Sequence, residues 1–267
     1  MAPAAVFAAW RAYIIMNFTG EGTGFLPRSS TVGLMYMVPL VLFCAWLYLA
    51  AWKKAPMVDT LCNSTMMAGA DVAAGMTICA VGLIVCAWLS FQSSYRGSMV
   101  VVVMAVIGAV CAIMMIPASG GKRTAKAGYD SYMALGLVAW GIAALLGIFL
   151  ANNTITQVPE NMLSMLTMAA LLAGLFNGAR LRAGIATAGK FLSSMAPAAL
   201  LATATEIPSV ALRFLGHESK FVSNSMPINI AVLFMLPMMW ATLFAVERKT
   251  TGRKKRWTPP PLTENAK

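Results

Sequence analysis

Seven long stretches with few or no charged side chains divide the sequence. They cover 31–52, 65–91, 98–117, 131–151, 161–179, 192–215 and 227–246. Each comes close to or exceeds the ~20 apolar residues with which an α-helix crosses the hydrocarbon of a bilayer. Several are apolar all round, whereas a helix at a globular surface keeps a polar face. The pattern predicts an all-α integral membrane protein, a bundle of about seven transmembrane helices.

Before the first stretch, residues 4–18 are largely apolar, with Arg11 as their one charged residue. No basic segment precedes them, which argues against a cleavable signal peptide. They are expected to form an interfacial helix, with Trp10, Arg11 and Tyr13 as headgroup anchors. An eighth span is the alternative. The chain therefore divides into an N-terminal helix and loop (1–30), a membrane domain (31–246) and a basic tail (247–267). In the tail, Pro259, Pro260 and Pro261 favour an extended conformation.

Composition sharpens this picture. Of 267 residues, 59% are hydrophobic and 11% charged, and the mean hydropathy is +0.74. A soluble domain carries roughly 25% charged residues. The net charge of +11 does not point to nucleic acid, because no basic stripe lies on a soluble domain. It is distributed by topology instead. Alternate loops and the tail hold 15 Lys and Arg on one side and 5 on the other. The positive-inside rule then places the C-terminus in the cytoplasm and the N-terminus outside, in a cell membrane. Six of the nine residues in 248–256 are basic, a cluster suited to anionic lipid headgroups.

Small residues recur at helical spacing: Ala170, Gly174 and Gly178; Ala139, Ala143 and Gly147; Gly108 and Ala112; and many of residues 68–75. Such stripes let helix backbones approach in lipid and offer faces to membrane-protein partners. Tyr36, Trp46, Tyr48, Trp52 and Trp88 lie near span ends, as interfacial belts require, whereas Trp140 lies mid-span.

Candidate chemistry centres on Glu206, within the sixth stretch. A carboxylate there costs several kcal/mol unless paired, hydrated or protonated. Pro208 has no N–H for the carbonyl of Ala204, so that oxygen is freed. Thr203, Thr205 and Ser209 add hydroxyls. An acid, hydroxyls and a free carbonyl suit a proton or cation site; the alternative is a kinked helix whose acid bonds a neighbour. Asp71 is a second candidate, or else an interfacial aspartate. Arg213, about two turns after Glu206, is a third charged candidate and a potential partner for an acid.

Other chemistries find little support. Five cysteines at irregular spacing and a single histidine, His217, give no zinc, haem or other cofactor site. The 21 methionines read as flexible packing, since no short extramembrane cluster suggests a copper array. No zinc-protease, serine-elbow or phosphate-loop motif is present. Seven helices with an external N-terminus resemble retinal proteins and heptahelical receptors in topology, but the last span lacks a lysine for a Schiff base. The sequence points to a small-solute or ion transporter or permease component. A non-transporting accessory, assembly or sensory subunit is the alternative.

Overall fold

A computed structural model describes residues 2–18, 32–54, 67–92, 98–120, 129–151, 159–215 and 220–256. All elements among them are helices: α1 (Ala2–Phe18), α2 (Val32–Lys54), α3 (Ala70–Gln92), α4 (Ser98–Ser119), α5 (Tyr129–Ala151), α6 (Pro159–Arg182), α7 (Ala188–Phe214) and α8 (Lys220–Arg256). Seven of them, α2 to α8, are long and apolar enough to cross a membrane. The protein is a multi-pass membrane protein.

Helix ends differ from the expected spans where a charge was read as a boundary. α7 starts four residues before Leu192 and takes in Lys190. Thr187 explains this, because its Oγ1 accepts a hydrogen bond from the Lys190 N–H (3.3 Å) and caps the new helix. α6 likewise runs past Ala179 to Arg182 and ends where Gly184 adopts φ 74°. That left-handed turn favours glycine and returns the chain at once, so α6 and α7 form a hairpin. α8 continues beyond Val246 to Arg256. The start of the expected tail is therefore helical, and the proline run lies outside the described residues.

Six helices close into a ring. In order, α3 packs on α4, α4 on α5, α5 on α6, α6 on α7, α7 on α8, and α8 returns to α3. Glycine makes the closing contact possible. A Cβ on Gly75 would stand 2.7 Å from the Met238 Cα, and one on Gly82 would stand 2.2 Å from the Phe234 Cβ. Any larger residue would push α3 off α8. Gly174 similarly admits Met195, and Gly178 admits Phe191, so the expected small-residue stripe on the fifth span is an α6–α7 contact. Trp140, which did not fit an aromatic belt, is fully buried and packs beside Gly108.

α2 and α1 lie outside the ring, both against α7. The face of α1 turned inward is Ala4, Ala8, Arg11 and Ile14, a spacing of three to four residues. Phe7 and Trp10 of α1 make edge contacts with Tyr36 of α2 at ring separations of 6.3 and 5.6 Å. Outward, α2 exposes Leu34, Met35, Val38, Leu42, Trp46, Leu49 and Trp52. An apolar surface of this extent is stable against lipid.

Candidate functional site

The junction of α1, α2, α6 and α7 buries a polar cluster, and α7 supplies most of it. Pro208 sits inside α7 and cannot donate to the Ala204 carbonyl. The structure fills that position from another helix: the Tyr36 hydroxyl of α2 donates to the Ala204 carbonyl oxygen at 3.3 Å. Ser209 Oγ, one residue beyond the proline, donates back to the Thr205 carbonyl at 2.6 Å. The sequence around Pro208 thus turns the Ala204 carbonyl toward α2 and the Ser209 hydroxyl toward α1.

Glu206 lies in this cluster and is 3% exposed. It stands six residues before Leu212, the end of the apolar span Ala188–Leu212, or about 9 Å along the helix. The residue therefore stands about halfway between the middle of the span and that end. Its Oε1 accepts from the Thr205 hydroxyl at 3.1 Å. Its Oε2 is buried without a hydrogen-bond partner.

The opposite charge comes from Arg11. Expected among headgroups, it is instead 9% exposed and turned inward. Its Nη2 donates to Ser209 Oγ at 3.5 Å, and its Nε has no hydrogen-bond partner. The guanidinium lies beside the Tyr36 hydroxyl, and its charge acts directly on Glu206. One N–H of Arg11 and one carboxyl oxygen of Glu206 are thus both buried without a hydrogen-bond partner at this junction. Each is costly to leave alone and attractive to a bridging group.

Two threonines extend the cluster to α6. Thr167 Oγ1 lies 3.3 Å from Thr205 Oγ1, and either hydroxyl can be the donor. Thr167 Oγ1 also reaches the Leu163 carbonyl at 2.8 Å. Each hydroxyl has one proton, so only two arrangements keep the row intact. With Glu206 ionised, Thr167 donates to Thr205 and Thr205 to Glu206. With Glu206 protonated at Oε1, the row reverses: Glu206 donates to Thr205, Thr205 to Thr167, and Thr167 to the Leu163 carbonyl. Only the second arrangement keeps the 2.8 Å hydrogen bond from Thr167 to the Leu163 carbonyl; with Glu206 ionised, that proton turns to Thr205.

The other sequence candidates are placed elsewhere. Thr203 faces α8, donating to the Ala199 carbonyl (2.6 Å) and accepting from Trp240 Nε1 (3.2 Å). Asp71 lies in the first turn of α3, exposed, with Oδ2 3.3 Å from Arg248 Nη1 of α8. There it complements the α3 dipole and fastens α8, and it does not join Glu206. The side chain of Arg213 lies outside the described residues, as does His217. The cluster thus unites Glu206, Thr205 and Ser209 of the expected set and adds Arg11, Tyr36 and Thr167. Arg11 carried a signal in the sequence, as the lone charge in an apolar segment. Tyr36 looked like one more belt aromatic.

A second buried charge lies at the other end of the α6–α7 hairpin. Arg182, the last residue of α6, is 7% exposed. Its Nη2 donates to Ser119 Oγ at 3.5 Å, and its charge acts on Asp130 at the start of α5. From Ala188 to Glu206 is 18 residues, about 27 Å of helix, so the two charged centres lie at opposite ends of the bundle.

Among the described residues, no group of three or more His, Cys, Asp or Glu is placed to hold a metal ion. No family model, curated protein or solved structure matches the chain.

Proposed function

We propose that the protein is a transporter or permease component for a small solute or ion, with Glu206 as its proton-binding group. One observation carries this reading: a carboxyl buried in an apolar span, with one free oxygen, beside a guanidinium and a row of two threonine hydroxyls. Buried ionisable groups in membrane helices are costly, and they concentrate on ion and proton pathways. Arg11 decides between the two cations weighed from sequence. A guanidinium in the same pocket repels a metal ion, whereas a proton neutralises Glu206 and frees Arg11 from its attraction. A freed Arg11 would then be available to an anionic solute.

The charge asymmetry of the loops supports a cytoplasmic C-terminus in a cell membrane, with the Glu206 pocket in the outer half. The basic end of α8 would lie against anionic headgroups.

Proteoliposomes containing the full chain and a trapped pH dye test this reading. An imposed potassium diffusion potential should drive protons through the wild type, and Glu206→Gln should lower the rate at least tenfold while keeping the folded protein. Equal proton movement in both would contradict the proposal. The second reading, a non-transporting subunit, draws on the same pair: Arg11 ties α1 to α7, so Glu206 would be a clasp. In that case Glu206→Gln leaves behaviour unchanged and only Glu206→Ala weakens the fold.

A further inference from the structure

At one end of the six-helix ring α3, α5 and α7 begin and α4 and α6 stop. There Met67, three residues ahead of α3, turns inward and is 3% exposed. It lines a cavity of about 30 Å³ inside the ring, whose other walls come from α3 to α8. The cavity lies one to two helical turns in from this end. Met76 stands six residues past the start of α3, Ala134 five past the start of α5, and Met115 four before the end of α4. Met67 thus reaches the cavity from outside the ring helices. Its methyl stands 3.7 Å from a Cβ built on Gly178 of α6.

The segment that carries Met67 is fastened from two sides. The Gly69 N–H donates to the Ser119 carbonyl at the end of α4, and Lys249 Nζ of α8 donates to the Ala68 carbonyl, both at 2.7 Å. Two residues on from Gly69, Asp71 pairs with Arg248 of α8 at 3.3 Å. The Gly69 carbonyl accepts the Ala73 N–H at 3.0 Å, so the helical ladder of α3 reaches back to Gly69 and leaves Met67 and Ala68 outside it. A buried apolar residue ahead of a helix often serves as a staple on that same helix. Met67 instead lies against α6 across the ring, and exposed side chains of α8 hold its cover in place. Exposed ion pairs hold weakly, so this fastening yields more readily than the packed helices around it.

We propose that residues 67–69 form a gate at this end of the ring: Met67 closes the central cavity, and Arg248 and Lys249 of α8 hold it closed. When the gate opens, the cavity communicates with the medium at this end, as an occluded solute path requires. The gate does not rest on Glu206. Met195, in the cavity wall, and Glu206 are 11 residues apart on α7, about 16 Å along the axis, so each reading can fail without the other.

Cysteine accessibility tests the gate in the full chain. Ala134→Cys places a thiol in the cavity wall, and labelling by a small charged methanethiosulfonate is followed at that residue by peptide mass spectrometry, so the native cysteines do not enter. Ala144→Cys is the control: it is fully buried on the same helix outside the cavity wall, about 15 Å further along. Arg248→Met/Lys249→Met removes the fastenings without touching the cavity. It should speed labelling at 134 about tenfold or more, as a cheaper local opening requires, and leave 144 unchanged. Met67→Ala should do the same with the fastenings intact. Ala179→Cys, also in the wall, repeats the measurement from α6. Equal labelling of the wall thiols with and without the fastenings would overturn the proposal. So would an equal rise at 134 and 144, which would mark general loosening of the bundle.

Discussion

The Tyr36 hydroxyl lies 3.3 Å from the carbonyl oxygen of Ala204, 168 residues away in the chain. Pro208 makes that carbonyl available, and α2 supplies the donor the helix lacks. A buried carbonyl without a donor costs about 1–3 kcal/mol. Tyr36→Phe should therefore lower thermal stability in detergent. Pro208→Ala restores an N–H to α7, so Tyr36→Phe should cost less in that background. A double-mutant cycle with no coupling would show that Tyr36 does not serve the proline gap.

Arg11 and Glu206 should be strongly coupled. Removing one member of a buried charge pair strands the other and costs about 3–5 kcal/mol. Arg11→Met and Glu206→Ala should each destabilise the protein, while the double variant should lose clearly less than their sum. The measurement is chemical or thermal unfolding of all four proteins in one detergent. Additive losses would mean that the two charges do not interact.

The α3–α8 contact depends on the missing side chain at Gly75. A Cβ there would meet Met238 backbone at 2.7 and 2.9 Å, and backbone cannot move aside as a flexible side chain does. Gly75→Ala should cost about 1–3 kcal/mol through overpacking. Gly69→Ala is the control, because a Cβ at Gly69 has no neighbour within 4 Å. A Gly75→Ala protein as stable as the control would contradict the close packing of α3 on α8.

The proposed membrane orientation rests on the Lys and Arg asymmetry, 15 to 5. Single cysteines placed between residues 122 and 126 and near the C-terminus should react only with permeant reagents in intact cells. One placed between 152 and 158 should react with impermeant reagents. Labelling of the C-terminus from outside would reverse the assignment and put the Glu206 pocket in the inner half.

Much of the fold was legible because membrane helices announce themselves in one dimension. A run of apolar residues of bilayer length is a span whatever its neighbours, so the seven helices α2 to α8 follow from run length alone. The stripe Ala170, Gly174, Gly178 likewise marked a contact before its partner α7 was known. The site was half legible. Glu206, Thr205, Ser209 and the bare Ala204 carbonyl share one short segment, where local rules apply. Arg11, Tyr36 and Thr167 reach the same pocket from three other helices, and no local pattern says which helices meet. Thr203 was grouped with Glu206 by proximity in sequence, yet its rotation around α7 turns it to Trp240.

The central claim is that Glu206 exchanges a proton inside the membrane domain. Arg11, Tyr36, Thr167, Thr205 and Ser209 surround it, and none of them is a carboxyl. Infrared difference spectroscopy reads the claim directly, because a protonated carboxyl has a C=O stretch that the carboxylate lacks. Spectra of the full chain in lipid, titrated with pH, should show a protonated-carboxyl band from a poorly hydrated site. The band should be missing from Glu206→Gln, and Arg11→Met should alter its pH dependence, because it removes the charge that favours the ionised acid. A pH-dependent carboxyl spectrum identical in the wild type and Glu206→Gln would contradict the account.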